Sequence, residues 1–212
     1  MKITIVYDNT AFMEGLRSDW GFSALIEGKN IPTILFDTGG SGRILLDNMK
    51  RMDIDPKSVD EVFISHAHLD HTGGLSTFLS KKNDVKIWVP PSVRGIRNAR
   101  KVVKVRNPTK LHKGVYSTGE LEGIEQSLCL KTDKGILVIA GCSHPSMRNI
   151  LNTASQFGEI YGIIGGLHGT DPEELSDLDL ICATHCTQHK TEIKRLYSDR
   201  FKEGGVGRVI KL

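Results

Sequence analysis

Between residues 62 and 74 the chain reads Val62-Phe63-Ile64-Ser65-His66-Ala67-His68-Leu69-Asp70-His71-Thr72-Gly73-Gly74, an apolar stretch that passes directly into H-x-H-x-D-H and then into two glycines. Four side chains able to ligate a metal fall within six residues. In an extended segment side chains repeat with a period of two, so His66 and His68 point the same way and can grip one ion. Asp70 and His71 follow where Gly73 and Gly74 allow a tight turn, so they can face a second ion beside the first. Imidazole and carboxylate donors together suit zinc, iron or manganese better than calcium or magnesium, which prefer oxygen alone. A chance histidine-rich surface loop would not call for a strand before it and a turn after it.

The rest of the chain frames a single domain. With 212 residues, 39% hydrophobic and 25% charged, there is enough chain for one sizeable core. No stretch approaches the roughly 18 apolar residues of a membrane span, so no membrane partner is expected. Met1-Lys2-Ile3-Thr4-Ile5-Val6 lacks the long apolar region of a signal peptide, and Cys129, Cys142, Cys182 and Cys186 are too sparse for a disulfide framework. The expectation is a cytoplasmic protein whose mature chain begins at or near Met1.

Hydrophobic patterning alternates strands with helices. Strands are expected at Ile3–Tyr7, Ser23–Glu27, Thr33–Phe36, Glu61–Ser65, Glu125–Thr132, Gly135–Ala140, Ile160–Ile164, Leu178–Ala183 and Val206–Leu212. Helices are expected at Ser41–Met52, from Ser146 to Phe157, and from a Thr187 cap to about Phe201. On this map His144, His168 and His185 each follow an apolar strand, and loops at one end of a sheet converge on a common crevice.

The runs Leu35-Phe36-Asp37-Thr38-Gly39 and Ser65-His66-Ala67-His68-Leu69-Asp70-His71-Thr72-Gly73-Gly74 resemble the first two motifs of the metallo-β-lactamase superfamily. Asp8-Asn9-Thr10, Gly21-Phe22-Ser23-Ala24-Leu25-Ile26, Gly141-Cys142-Ser143-His144, Ile164-Gly165-Gly166-Leu167-His168 and His185-Cys186-Thr187 are similar to a branch with the dihydropterin ribofuranosylaminobenzene phosphate synthases and related metal-dependent hydrolases. The resemblance spans essentially the whole chain. It implies a four-layer αβ/βα sandwich with a metal site at one edge of the two sheets. It puts His66, His68 and His144 on one divalent ion and Asp70, His71 and His185 on the other, with Asp37 steadying the histidine loop from outside. Most of the superfamily also has a bridging aspartate, for which this chain has no clear equivalent. His168 is the first choice for that position, with Asp171 and Cys142 as alternatives.

The resemblance further implies attack by hydroxide generated at the ions, zinc first with iron or manganese as alternatives. Asp70 would orient this nucleophile, and His168 would donate to an oxyanion or leaving group if it is not a ligand. Arg94, Arg97, Arg100, Lys101, Lys104, Arg106, Lys110 and Lys113 lie in a segment without one acidic residue, read as an insertion over the site at about 90–114. Arg94 and Arg97 are the expected anchors for a small anionic substrate. No aromatic residue lies between Trp88 and Tyr116, which disfavours nucleic acid. Two local alternatives are a structural zinc site at Cys182, His185, Cys186 and His189, and a nucleophilic Cys142 next to His144.

The sequence therefore points to a metal-dependent hydrolase acting on a small phosphorylated ester. Competing readings are a pterin-linked synthase of tetrahydromethanopterin-type cofactor synthesis, a nucleic-acid phosphodiesterase, and a non-catalytic metal-binding or ligand-sensing module.

Overall fold

Side chains that alternate along the strands divide the apolar residues between three cores in the computed structural model, which describes residues 1–212. One sheet is built from β1 (Lys2–Tyr7), β2 (Ser23–Glu27), β3 (Ile34–Phe36), β4 (Glu61–Phe63), β5 (Lys86–Val89), β6 (Lys101–Lys104) and β13 (Val209–Lys211). Its order is β13-β1-β2-β3-β4-β5-β6. The other combines β7 (Thr109–His112), β8 (Val115–Ser117), β9 (Leu128–Thr132), β10 (Gly135–Ala140), β11 (Ile160–Gly166) and β12 (Leu180–Thr184), in the order β12-β11-β10-β9-β8-β7.

Ile3, Ile5, Ala24 and Ile26 of the first sheet meet Leu128, Leu130, Leu137 and Ile139 of the second in the central core. Their neighbours in sequence face outward, as the period of two requires. Leu25, Leu35 and Val62 pack under α1 (Gly42–Arg51) and α3 (Leu75–Leu79) through Leu45, Met49 and Phe78. Val138, Ala140, Ile163 and Ile181 pack under α4 (Met147–Ala154) and α5 (Lys190–Leu196) through Met147, Ile150 and Ile193. The result is the expected four-layer αβ/βα sandwich. No helix is long and apolar enough to cross a membrane.

Several elements differ from the sequence expectation. The segment at about 90–114 supplies β6 and β7, the outermost strands of the two sheets. Its Lys101, Lys104 and Lys110 thus lie on edge strands, where charge discourages pairing with another chain. Lys101–Lys104 and Thr109–His112 thus extend the two sheets, while residues 90–100 belong to neither. Thr187 does not cap α5. Its hydroxyl accepts from Leu167 N–H at 3.0 Å and donates to Thr184 C=O at 2.7 Å, so the helix starts at Lys190 and ends at Leu196.

Gly73 and Gly74 are required for close approach rather than for a tight turn. Both lie in the right-handed helical region, next to the short helix α2 (Leu69–Thr72). A Cβ on Gly74 would run into the Thr38 carbonyl, and one on Gly73 into the Gly40 carbonyl.

Candidate metal centre

β3 and β4 run parallel, as do β10, β11 and β12. Asp37 follows the end of β3, Ser65 and His66 that of β4, Cys142 and His144 that of β10, His168 that of β11, and His185 that of β12. Loops at the carboxyl ends of parallel strands are where such sheets bind ligands. Asp37 (φ 51°), Ser143 (59°), His168 (44°) and His185 (51°) have left-handed backbones. Each costs on the order of 1 kcal/mol or more, and such costs concentrate at functional sites.

Two donor groups converge here. Asp70, His71, Cys142 and His185 form one, and His66, Cys142 and His144 the other. In the first, His71 Nε2 lies 3.1 Å from Cys142 Sγ and 3.2 Å from His185 Nε2. Asp70 Oδ2 lies 3.3 Å from His185 Nε2 and 3.6 Å from His71 Nε2. Donors placed tetrahedrally on zinc at its usual bond lengths stand roughly 3.3–3.6 Å apart; the two Asp70 edges lie in that range and the two His71 edges slightly below it. Beside the second, His68, itself outside the group, has Nδ1 3.1 Å from His144 Nε2 and its ring 4.6 Å from that of His66. His66 Nε2 is buried without any hydrogen-bond partner. A buried polar atom left bare is costly, and a cation between it and its neighbours would satisfy it.

Surrounding groups fix which nitrogen of each imidazole points inward. Asp37 Oδ1 accepts from Ser65 N–H at 2.7 Å, while Oδ2 accepts from the Ser65 hydroxyl at 2.6 Å and from His71 Nδ1–H at 2.7 Å. With its proton on Asp37, the Ser65 hydroxyl accepts from His66 Nδ1–H at 2.8 Å. Asn9 Oδ1 accepts from Gly21 N–H while its amide donates to the His185 carbonyl, both at 3.0 Å. The amide orientation is thereby set, and Oδ1 accepts His185 Nδ1–H, also at 3.0 Å. In all three rings Nε2 is left for the centre, the arrangement metal-ligating histidines use.

Two carboxylates hold the loops. Glu125 Oε1 accepts from the N–H groups of Gly141, Cys142 and Ser143 at 2.9, 3.0 and 3.2 Å, and Oε2 from that of His144 at 3.0 Å. Asp8 accepts from the Thr184 hydroxyl and, at 3.0 Å, from His185 N–H. Burial raises the pKa of Asp8, Asp37 and Glu125, against the hydrogen bonds each accepts. Burial and neighbouring imidazoles depress His66, bring His144 down to about 4 and bring His185 down to about 3. His71 differs: burial disfavours its charge, but the Asp37 carboxylate outweighs this and raises its pKa.

Of the residues singled out in the sequence, His66, His68, Asp70, His71, His144 and His185 come together, with Asp37 directly behind His71. His168 lies outside both donor groups. Its ring is edge-on to His144 at 4.7 Å, and it lines a cavity of 490 Å³ with Ser143, Thr170 and Gln188. Asp171 also lies outside, accepting from Glu173 N–H at 3.0 Å as the cap of a short helical turn. Arg94 and Arg97 line a 380 Å³ cavity with Ala67 and Thr72, so they border the histidine loop. Cys182 packs in the central core, and His189 is exposed beside Glu192.

Sequence reasoning missed the roles of Glu125, Asp8, Asn9 and Trp20. Trp20 is 59% exposed, its ring centroid is 5.2 Å from that of His185, and its Nε1–H donates to Asp70 Oδ2 at 3.0 Å. The signals were the Asp8-Asn9-Thr10 run, an acidic residue before an apolar strand at Glu125, and a tryptophan in a polar loop.

Comparisons with known proteins place the fold and the family. The family model of the metallo-beta-lactamase superfamily matches residues 21–147. A 7,8-dihydropterin-6-methyl-4-(beta-D-ribofuranosyl)-aminobenzene-5'-phosphate synthase from Methanocaldococcus jannaschii is 27% identical, over 98% of this chain and 95% of the relative. Among solved structures, Tm1679, a metal-dependent hydrolase of the beta-lactamase superfamily, superposes with a TM-score of 0.81 at 24% identity, covering 100% of this chain and 99% of its own. Zinc-bound PqqB from Methylobacterium extorquens gives 0.67 at 10% identity, with 100% of both chains covered. With its strand-end histidine loops, its two donor groups and a family match over residues 21–147, the chain belongs to the metallo-β-lactamase superfamily.

Proposed function

We propose that this protein is a metal-dependent hydrolase of a small phosphorylated ester. The observation that carries the reading is the convergence of two donor groups at the strand ends, beside a loop whose Ala67 and Thr72 line a cavity with Arg94 and Arg97. His66, His68 and His144 would hold one divalent ion, and Asp70, His71 and His185 the other. When bound, the pair would supply a water of lowered pKa and Lewis acidity toward the ester oxygens.

Arg94 and Arg97 would bind the phosphate through charge-assisted hydrogen bonds, holding the ester against the histidine loop. Asp70, whose Oδ2 also accepts from Trp20, would orient the attacking water. His168, beside His144 on the wall of the 490 Å³ cavity, would give a proton to the departing oxygen.

The test is turnover of phosphate mono- and diesters by protein reconstituted with zinc, manganese or iron(II). Arg94→Ala and Arg97→Ala should each raise KM about 10-fold or more while leaving metal content intact, as expected for loss of a charged hydrogen bond worth roughly 1.5–3 kcal/mol. Activity that ignores both arginines, or none on any ester, would overturn the reading.

A second reading is a pterin-linked synthase, favoured by the 27% identity that spans nearly the full length of both chains. The same ions would then polarise an electrophile for transfer. Incubation with a dihydropterin whose 6-methyl carbon bears a leaving group such as diphosphate, together with a ribofuranosylaminobenzene phosphate, separates the two; the new bond forms at that carbon as the leaving group departs. A joined product without ester hydrolysis supports the synthase, and ester hydrolysis without a joined product supports the hydrolase.

A further inference from the structure

We propose that Cys142 is the bridging ligand of the centre, with its thiolate shared between the ion held by His66, His68 and His144 and the ion held by Asp70, His71 and His185. The inference rests on the two-ion reading above. Cys142 Sγ is the one donor common to both groups, and it lies 3.1 Å from His71 Nε2. At 3% exposure the sulfur is enclosed by the histidines instead of facing the substrate cavities, which argues against its use as a nucleophile.

The backbone around Cys142 is built to keep it there. Its N–H and those of the residues on both sides converge on the buried Glu125 carboxylate. Ser143 adopts φ 59°, and its hydroxyl donates to the Gly166 carbonyl at 2.8 Å. A Cβ on Gly141 would run into Ser65 Oγ, so the loop sits directly on the strand end that carries His66.

Charge supplies an independent argument. The group of His66 and His144 offers only imidazoles besides the sulfur, and the group of His71 and His185 offers a single carboxylate, Asp70. Two divalent cations there would have one negatively charged ligand besides the sulfur. The other nearby acids are committed elsewhere: Asp37 to Ser65 and His71, Asp8 to Thr184 and His185, Glu125 to four backbone N–H groups, and Asp171 to a helical turn. A shared thiolate lowers the net charge seen by both ions at once. It also biases the site toward zinc or iron(II) over manganese or magnesium, because a soft ligand selects softer ions. Cys186, whose Sγ lies 3.7 Å from the Cys142 carbonyl, belongs to neither group and serves as the control.

The test uses the full chain loaded with cobalt(II) and, separately, zinc. The wild type should bind two ions, show a thiolate-to-cobalt charge-transfer band in the near ultraviolet, and give zinc absorption spectra with sulfur at about 2.3 Å. Cys142→Ser should abolish the band and the sulfur contribution, and weaken one ion by more than the 10- to 100-fold typical of losing an outer partner. Cys142→Asp should restore two ions per chain without the band, which separates a ligand role from simple misfolding. Cys186→Ala should keep the band. Two bound ions with no sulfur signature, or a band that survives Cys142→Ser, would overturn the bridge alone. Failure of the wild type to bind any ion would overturn the two-ion reading with it.

Discussion

Asp37 accepts His71 Nδ1–H at 2.7 Å from a left-handed backbone position, completely buried and directly behind a residue whose other nitrogen faces the donor group. Asparagine tolerates the left-handed region as aspartate does, so Asp37→Asn changes the charge and one acceptor without backbone strain. To keep accepting Ser65 N–H, the new amide would have to turn its NH₂ toward Ser65 and His71, donor against donor. We expect metal affinity to fall about 10- to 100-fold, mainly for the ion on His71. Competition with a chromogenic chelator measures this, and unchanged affinity would count against the relay from Asp37 through His71.

Glu125 gathers four N–H groups of the loop that carries Cys142 and His144. Glu125→Gln preserves the shape and one oxygen but sets an NH₂ against a backbone N–H. Each buried donor left without a partner costs about 1–3 kcal/mol, so the metal-free variant should unfold at clearly lower temperature and bind ions weakly. A wild-type melting curve for this variant would show that solvent substitutes for the carboxylate.

The fold and the cluster of candidate donors were legible in the sequence because both follow from local patterns. Ile3, Ile5, Leu137 and Ile139 alternate along their strands, and His66, His68, Asp70 and His71 are packed into six residues. What escaped depends on long-range pairing. Glu125 and Asp8 meet His144 and His185 across 19 and 177 positions of sequence; nothing near Glu125 marks it, and the Asp8-Asn9-Thr10 run does not reveal which histidine it holds. β6 and β7 escaped because edge strands rich in lysine lack the apolar alternation of a buried strand. Asp171 fell beyond the centre because the chain after His168 turns into a short helix that uses its carboxylate as a cap.

Trp20 and Trp88 are the two tryptophans, and only Trp20 touches the centre; Trp88 bonds Glu61 instead. Cobalt(II) bound near Asp70 should therefore quench Trp20 fluorescence and spare Trp88. In Trp20→Phe the cobalt-dependent quenching should all but vanish, while stability stays within about 0.5 kcal/mol because the ring is largely exposed. Loss of the indole N–H also frees Asp70 Oδ2 from one partner, so turnover should drop more than substrate affinity. Equal quenching in wild type and variant would mean that cobalt binds elsewhere.

Protons and metal ions compete for the same nitrogens, and the depressed histidines set the sign of the acid response. His144 and His185 have folded pKa values of about 4 and about 3 against an ordinary value near 6.5. Between those limits the unfolded chain binds more protons than the folded one, so their contribution is full above about pH 6.5 and fades as pH falls toward 4 and then 3. His71, with its pKa raised by Asp37, acts in the opposite sense: its contribution is full below about pH 6.5 and fades as pH rises through its folded value. In metal-free protein, imidazole carbon resonances of His144 and His185 should stay in the neutral position at pH 5.5, where an unhindered histidine is mostly charged. His144→Asn should shallow the decline of melting temperature between pH 6.5 and 4. In the loaded protein, zinc should be released over the same acid range as protons take the ligand nitrogens. Resonances that titrate near pH 6.5 would remove the basis for this behaviour.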